Sequence, residues 1–172
     1  MSTAAQVQEA DVKEGENAPS SQFLTFMLGG EEYGINILSV QEIKGWAPST
    51  PIPNLPAHIL GVMNLRGTLV PIIDVRIRFE FEKVEYGPMT VVIVVKVKGG
   101  ERDRTVGIVV DAVSEVYNVD EQAVEHAPDM GNAINTEFIR GLASVGDKMV
   151  ILLNIDELLD TEIIDNMTDV VQ

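Results

Sequence analysis

Apolar and polar positions along this chain alternate over short stretches, and glycine or proline closes most of them. That period of two predicts strands rather than helices. Residues 23–28 read as a strand, turned by Gly29-Gly30 with Glu31-Glu32, and residues 33–37 as the returning strand. A bend near Leu38-Ser39 leads to a third extended piece at 41–46. Pro48, Pro51, Pro53 and Pro56 then forbid a helix interior and most ladder pairing, so 47–57 reads as an irregular loop. A helical turn is expected at 57–60, stopped by Gly61, followed by a hairpin of 61–64 and 68–74 around Leu65-Arg66-Gly67. Arg76, Arg78 and Glu80 alternate with Val75, Ile77 and Phe79, which predicts an extended piece with one wet face.

A second series follows. Residues 89–98 carry Val91-Val92-Ile93-Val94-Val95, apolar on both faces, and predict a strand away from a sheet edge. Gly99-Gly100 turns, 105–110 returns and 113–119 is extended. Residues 120–135 form a polar connection, 136–140 a short helical turn before Gly141, and 148–154 the last strong strand. Leu158, Leu159, Ile163, Ile164 and Met167 then fit an amphipathic helix over 156–170, with Asp156 as N-cap.

The two series are copies. Tyr33-Gly34-Ile35 and Val40-Gln41-Glu42-Ile43 return as Val106-Gly107-Ile108 and Val113-Ser114-Glu115-Val116. Gly61 and 70–75 return as Gly141 and 150–155. Two copies of one unit imply a pseudo-twofold molecule with two similar outer faces and a seam. Each copy is marginal as an independent core, so the copies are expected to share an interface or exchange strands. Two small β-barrels side by side are the expected architecture. The boundaries are an acidic, disordered arm at 1–21, a domain at 22–160 with copies at about 22–85 and 88–160, and a helical tail at 161–172.

Charge narrows the function. The net charge is −15, with −3 in residues 1–20 and −6 in residues 156–172. That balance argues against sequence-independent nucleic-acid binding and against docking on anionic lipid. No cysteine is present, so disulfides and thiolate metal sites are excluded. No signal pattern or membrane-length apolar run is visible, and a cytoplasmic protein without membrane insertion is expected.

Chemistry-bearing constellations are sparse. His58 and His126 have no partner at ligand spacing. Ser144 in Gly141-Leu142-Ala143-Ser144-Val145-Gly146 has one residue too many before it for a nucleophile elbow. The acidic pairs Glu31-Glu32 and Asp120-Glu121 read as solvated turns. Neither acid–base nor nucleophilic catalysis is indicated, and no metal or cofactor is expected.

Two features stand out. Arg66 sits at a hairpin tip whose Gly67 permits positive φ, either as a solvated turn arginine or as a recognition fork for a partner's carboxylate or carbonyl. Val40, Glu42 and Ile43, mirrored by Val113, Glu115 and Val116, belong either to a barrel core or to a groove at the seam that accepts a helix or helical hairpin. In plain extended geometry Glu42 shares a face with Val40, and Ile43 points the other way, unless a bulge intervenes.

These residues resemble one family closely. Glu32-Tyr33-Gly34-Ile35, Val40-Gln41-Glu42-Ile43, Gly61-Val62-Met63-Asn64-Leu65-Arg66-Gly67 and Val70-Pro71-Ile72-Ile73-Asp74-Val75-Arg76 resemble the CheW family of bacterial chemotaxis coupling proteins. Gly107 to Val116 and Gly141 to Leu153 continue the match, which spans roughly 22–160. The resemblance implies two SH3-like five-stranded β-barrels around a shared hydrophobic seam, with a C-terminal helix. It implies a non-catalytic adaptor between the regulatory domain of a CheA-type histidine kinase and the cytoplasmic hairpin tip of chemoreceptors, placed at the receptor array through these partners. Carried onto this chain, the receptor groove uses Val40, Glu42, Ile43, Asn64, Arg66, Val113 and Val116, while Gly61, Gly67, Gly107 and Gly141 shape the backbone. An enzyme using Ser144 and a nucleic-acid-binding barrel are the competing readings. The first needs a serine-reactive label, and the second lacks a basic and aromatic stripe.

Overall fold

The computed structural model describes residues 20–81, 85–98, 103–126 and 138–159. The arm before residue 20, the Gly99-Gly100 turn, most of the 120–135 connection and the tail beyond residue 159 lie outside them.

Ten strands are described: β1 Ser20–Leu28, β2 Glu31–Asn36, β3 Val40–Gly45, β4 Ile59–Leu65, β5 Thr68–Asp74, β6 Val91–Val97, β7 Arg104–Val110, β8 Ala112–Asp120, β9 Ile139–Val145 and β10 Lys148–Leu153. Two short helices, α1 Val75–Arg78 and α2 Ile155–Leu158, follow β5 and β10. The strands form two five-stranded sheets, ordered β8-β1-β2-β10-β9 and β3-β6-β7-β5-β4. Replacing each strand by its counterpart in the other copy converts one order into the other. Neither sheet belongs to one copy: each takes a two-strand hairpin from one copy and three strands from the other.

The inserted hairpins are joined on both sides. β6 pairs antiparallel with β3, and β7 pairs parallel with β5 through Ile72–Gly107. In the other sheet β1 pairs with β8, and β2 pairs parallel with β10 through Leu152–Gly34. The repeated glycines sit at these parallel joints. A Cβ on Gly107 would lie 2.8 Å from both Ile72 Cδ1 and Val92 Cγ1, and one on Gly34 3.2 Å from Leu152 Cδ2.

The sheets curl, and the ends of each order approach one another. After β3 the chain returns to β4 at an isolated bridge, Thr50 to Val62, and after β8 it returns to β9 at Glu125 to Leu142. The second glycine pair lies there: a Cβ on Gly61 would overlap the Thr50 carbonyl oxygen, and one on Gly141 would strike Val124. Gly61 also holds φ at +147°, a conformation glycine alone adopts readily.

Three apolar cores result. Val92 and Val94 point into one barrel with Leu65, Val70, Ile72 and Val109. Phe23, Val119, Ala143, Val150 and Leu152 fill the other. The intervening residues, among them Leu24, Phe26, Tyr33, Ile73, Ile93, Val95 and Ile151, form the largest cluster, between the barrels. β6 is therefore buried on both faces, which explains its unbroken apolar run.

Several expectations are corrected. Residues 75–78 are helical, not extended: Asp74 caps α1 by accepting a hydrogen bond from the Arg76 amide, and Arg76 is buried. Residues 57–58 form a plain turn, and Ile59 already pairs in β4. Ile139 and Arg140 are strand, not a helical turn. Of the helix expected over 156–170, the described part is a single turn capped by Asn154, not Asp156, and ended at Leu159, which is extended. β1 begins at Ser20, before the expected start.

Alanine at these glycines should destabilise in a graded way, measured as the shift in urea midpoint. Gly107→Ala should cost about 1–3 kcal/mol, as for other overpacked cores. Gly61→Ala should cost more, because backbone rather than side chain must yield. Gly34→Ala should cost least, because its neighbours need give only a few tenths of an ångström.

Candidate functional site

β3 and β8 are counterparts, each at one end of its sheet order, and each involves a bulge. On β3, Val40 pairs with Val95 and Ile43 with Ile93, with a register shift between Val40 and Glu42. Paired residues share a face. Val40 and Ile43 therefore both point to the seam side, where Ile93 and Val95 lie, and Glu42 points the other way with Val94. The bulge reverses the alternation expected from an unbroken strand. On the β1–β8 ladder, Val113 pairs with Phe26 and Val116 with Leu24, so Ser114 and Glu115 of β8 together oppose the single residue Thr25 of β1. The Thr25 hydroxyl fills that bulge, donating to the Glu115 carbonyl at 3.0 Å and accepting from the Glu115 amide at 3.2 Å.

Four predicted groove residues thus face one seam. Val40, Val113 and Val116 pack partly buried against the central core, and Ile43 stands 44% exposed. All four thus lie at the margin of the central core, and Ile43 reaches solvent.

Glu42 and Arg66 are brought together directly. The Arg66 guanidinium donates to the Glu42 carboxylate at 2.5 Å. The tip that carries it is a two-residue turn with φ of 52° at Arg66 and 88° at Gly67. A positive φ at arginine is strained, and the Asn64 side chain supports the turn by accepting from the Gly67 amide at 2.9 Å. The equivalent tip between β9 and β10 has Gly146 in the matching conformation. The first copy thus keeps an arginine where the second uses a glycine. The hydrogen bond from Arg66 holds the Glu42 carboxyl below its usual range, and Glu42 raises the Arg66 guanidinium. The pair stays charged at neutral pH and separates only as acid protonates Glu42. Glu42 is half-buried, but Arg66 is largely in water, so the pair orients Arg66 more than it stabilises the fold.

A second constellation escaped the sequence reading. Asp74 Oδ1 accepts from the Arg76 amide at 2.9 Å and from Nε at 3.1 Å, and Oδ2 from Nη2 at 3.1 Å. Tyr86 donates to Asp74 Oδ2 at 2.7 Å and lies beneath the Arg76 guanidinium, 4.9 Å from its centroid. Trp46 stacks on Tyr86 at 4.0 Å. The remaining Arg76 nitrogen donates to Asp111 Oδ1 at 2.8 Å. Burial opposes the charge on Arg76, but two carboxylates outweigh it and drive its pKa up. The signal lay in the apolar runs that Asp74 and Asp111 each terminate.

The same pseudo-symmetric place in the other copy is open. There Leu38 stands where Asp111 would be, and Asp156 where Arg76 would be. A cleft of about 410 Å³ lies between them, lined also by Asn36, Lys96, Lys98 and Arg140.

The acidic pairs are not simply solvated turns. Glu32 is buried near Lys148, 3.7 Å away. Glu121 accepts from Ser21 at 2.5 Å and pairs with Arg140. Ser144 lies mid-strand opposite Met149, not on the strand-to-helix turn of a nucleophile elbow. Among the described residues, no group of three or more His, Cys, Asp or Glu could hold a metal ion, and no helix is long and apolar enough to cross a membrane.

The CheW-like domain family matches residues 22–162. The chain belongs to that family. It is 46% identical over 149 residues to the chemotaxis protein CheW of Klebsiella aerogenes, covering 85% of this chain and 87% of that one. With the chemotaxis protein CheW of Rhizobium meliloti it shares 36% identity, over 82% of this chain and 88% of the other. The crystal structure of the scaffolding protein TtCheW from Thermoanaerobacter tengcongensis superposes with a TM-score of 0.74 at 34% identity, covering 83% of this chain and 89% of that one.

The tyrosines give a titration test. Burial, helped by Glu31, pushes Tyr33 up to about 12; burial and Asp74 do the same for Tyr86; the hydrogen bond to Glu115, helped by burial, does so for Tyr117. These are the chain's three tyrosines. Native protein should therefore show little tyrosinate absorbance near pH 10, where the unfolded chain ionises. The folded values are raised, so their stabilisation is complete below pH 10 and is lost as pH rises towards 12. Arg76→Ala, which strands buried Asp74, should cost about 3–5 kcal/mol by urea unfolding.

Proposed function

We propose that this chain is a non-catalytic adaptor of chemotaxis signalling that couples a CheA-type histidine kinase to the cytoplasmic hairpin tips of chemoreceptors. The observation that carries the receptor half is the shared face of Val40, Ile43, Val113 and Val116. Two strands from opposite barrels present an apolar lining, and the Glu42–Arg66 pair stands on the opposite face of the first of them. An apolar floor with one oriented cation beside it suits an amphipathic helical hairpin, whose apolar stripe enters the seam while an acidic or carbonyl group meets Arg66. Asn64 acts by holding the tip, and Gly61, Gly67, Gly107 and Gly141 act through backbone shape. Family membership and the scaffolding role of the TtCheW relative support the adaptor reading.

The kinase half rests on likeness of fold: a regulatory domain built as a similar double barrel pairs barrel to barrel with this one. Contacts of this kind are modest in area, and an array strengthens them through multivalency. The protein works in the cytoplasm, held at the membrane-associated array by its partners. The net charge of −15 disfavours nucleic acid as a partner.

Arg66→Glu tests the receptor face. Arg66 is 74% exposed and anchors nothing buried, so the variant should unfold at the same urea midpoint. In a reconstituted mixture of receptor, kinase and this protein, it should weaken receptor coupling by about tenfold or more, as for charged hot spots. Calorimetric titration should meanwhile show one-to-one binding of the kinase regulatory domain unchanged. Full kinase control by Arg66→Glu would remove Arg66 from the receptor face.

A further inference from the structure

We infer that Asp111 is a positioning residue that fixes the width of the groove between β3 and β8, and with it the helical partner the groove admits; the second part rests on the receptor-binding reading above. Asp111 stands where the chain leaves β7 in one sheet and enters β8 in the other. Its two carboxylate oxygens are divided between the barrels. Oδ1 takes Arg76 Nη1, rooted beside β5, at 2.8 Å. Oδ2 takes the amide of Gly29, in the β1–β2 turn of the other sheet, at 2.9 Å. The Asp111 amide adds a bond to the Met27 carbonyl of β1 at 3.0 Å.

One side chain therefore spans the seam two residues before Val113. A groove whose walls are Val40 and Ile43 on one barrel and Val113 and Val116 on the other has its width set by how the barrels sit on one another. The apolar core permits sliding, because dispersion and burial are non-directional. A carboxylate held by directed bonds from both sides does not. Arg76 keeps Asp74 when Asp111 is removed, so its charge stays compensated and the fold survives the loss. The Asp111 side chain is 24% exposed, so water can reach the freed Nη1. That separates positioning from stability: the fold needs Arg76–Asp74, whereas the groove width needs Asp111.

The test is a pair of electron-spin distance measurements, made possible because the chain has no cysteine of its own. Labels at Ile43 and Glu115 span the seam, and labels at Ile43 and Leu69 lie within one sheet. In Asp111→Asn and Asp111→Ala the cross-seam distribution should broaden and shift while the within-sheet distribution stays fixed. A receptor-tip helical hairpin should bind the variants about three- to tenfold more weakly, in proportion to the lost fraction of correctly spaced molecules. Unchanged cross-seam distances in both variants would overturn the inference. So would equal broadening of both pairs, or failure of Asp111→Asn to fold, either of which would make Asp111 a general structural residue. A broadened gap with unaltered hairpin affinity would overturn its control of the partner. Failure of the unsubstituted protein to bind the hairpin would defeat the receptor reading instead, and the distances would still decide the role of Asp111.

Discussion

Everything in this molecule depends on a hairpin from each copy being accepted between two strands of the other. The sheet order makes the requirement explicit: β6 and β7 lie between β3 and β5, and β1 and β2 lie between β8 and β10. A three-strand remnant would leave open edges where the hairpin belongs, and a lone hairpin is barely stable in water. Neither copy can therefore complete a barrel by itself. The parallel joints are tightly packed, because their strands meet over a glycine whose neighbours leave little room for a side chain. Gly34 and Gly107 are repeated in the sequence for that reason, and Gly61 and Gly141 recur because each barrel closes over them.

Exchange also decides where function can lie. Two barrels that trade strands cannot separate, so the space between them becomes a permanent interior with a solvent-facing rim. Strands with one face in a barrel and the other in this interior are apolar throughout, as β6 is. β3 and β8, which end the two orders, have one flank unpaired by a neighbouring strand and carry the residues that line the rim. Their bulges matter chemically: without the irregularity after Val40, Ile43 would turn away from the seam and Glu42 would enter it. The same irregularity lets Glu42 reach the hairpin tip and hold Arg66.

Much of this was legible in the chain, and the failures have physical causes. Paired glycines, double-faced apolar runs and proline clusters mark strands and loops because they act locally, through φ, sterics and missing donors. The two barrels followed from the repeat, but the division of strands between them did not, since pairing across copies leaves no local trace. Arg76 was misread because alternation over 75–80 fits a strand, and only a capping Asp74 with a buried guanidinium shows otherwise. Asp111 ends an apolar run, but nothing local names its partners: Arg76 and Gly29 lie far away in sequence. Of the groove residues, the residue types were readable and the facing was not, because a bulge cannot be seen in the period it interrupts.

The pseudo-twofold is broken where it matters most. Arg66 faces Glu42 in the first copy, while its counterpart Gly146 has no side chain to offer. Asp111 locks one crossover, while its counterpart Leu38 stands 89% exposed beside an open cleft. A perfectly symmetric scaffold would present the same surface twice. Small substitutions at equivalent turns avoid this without disturbing the shared cores, because hairpin tips and crossovers bury little. One crossover is thereby tied down by directed bonds, and the other opens onto a cleft lined by Lys96, Lys98, Arg140 and Asp156. A duplicated fold gains two different faces most cheaply at such positions, and these are the positions where its two copies diverge.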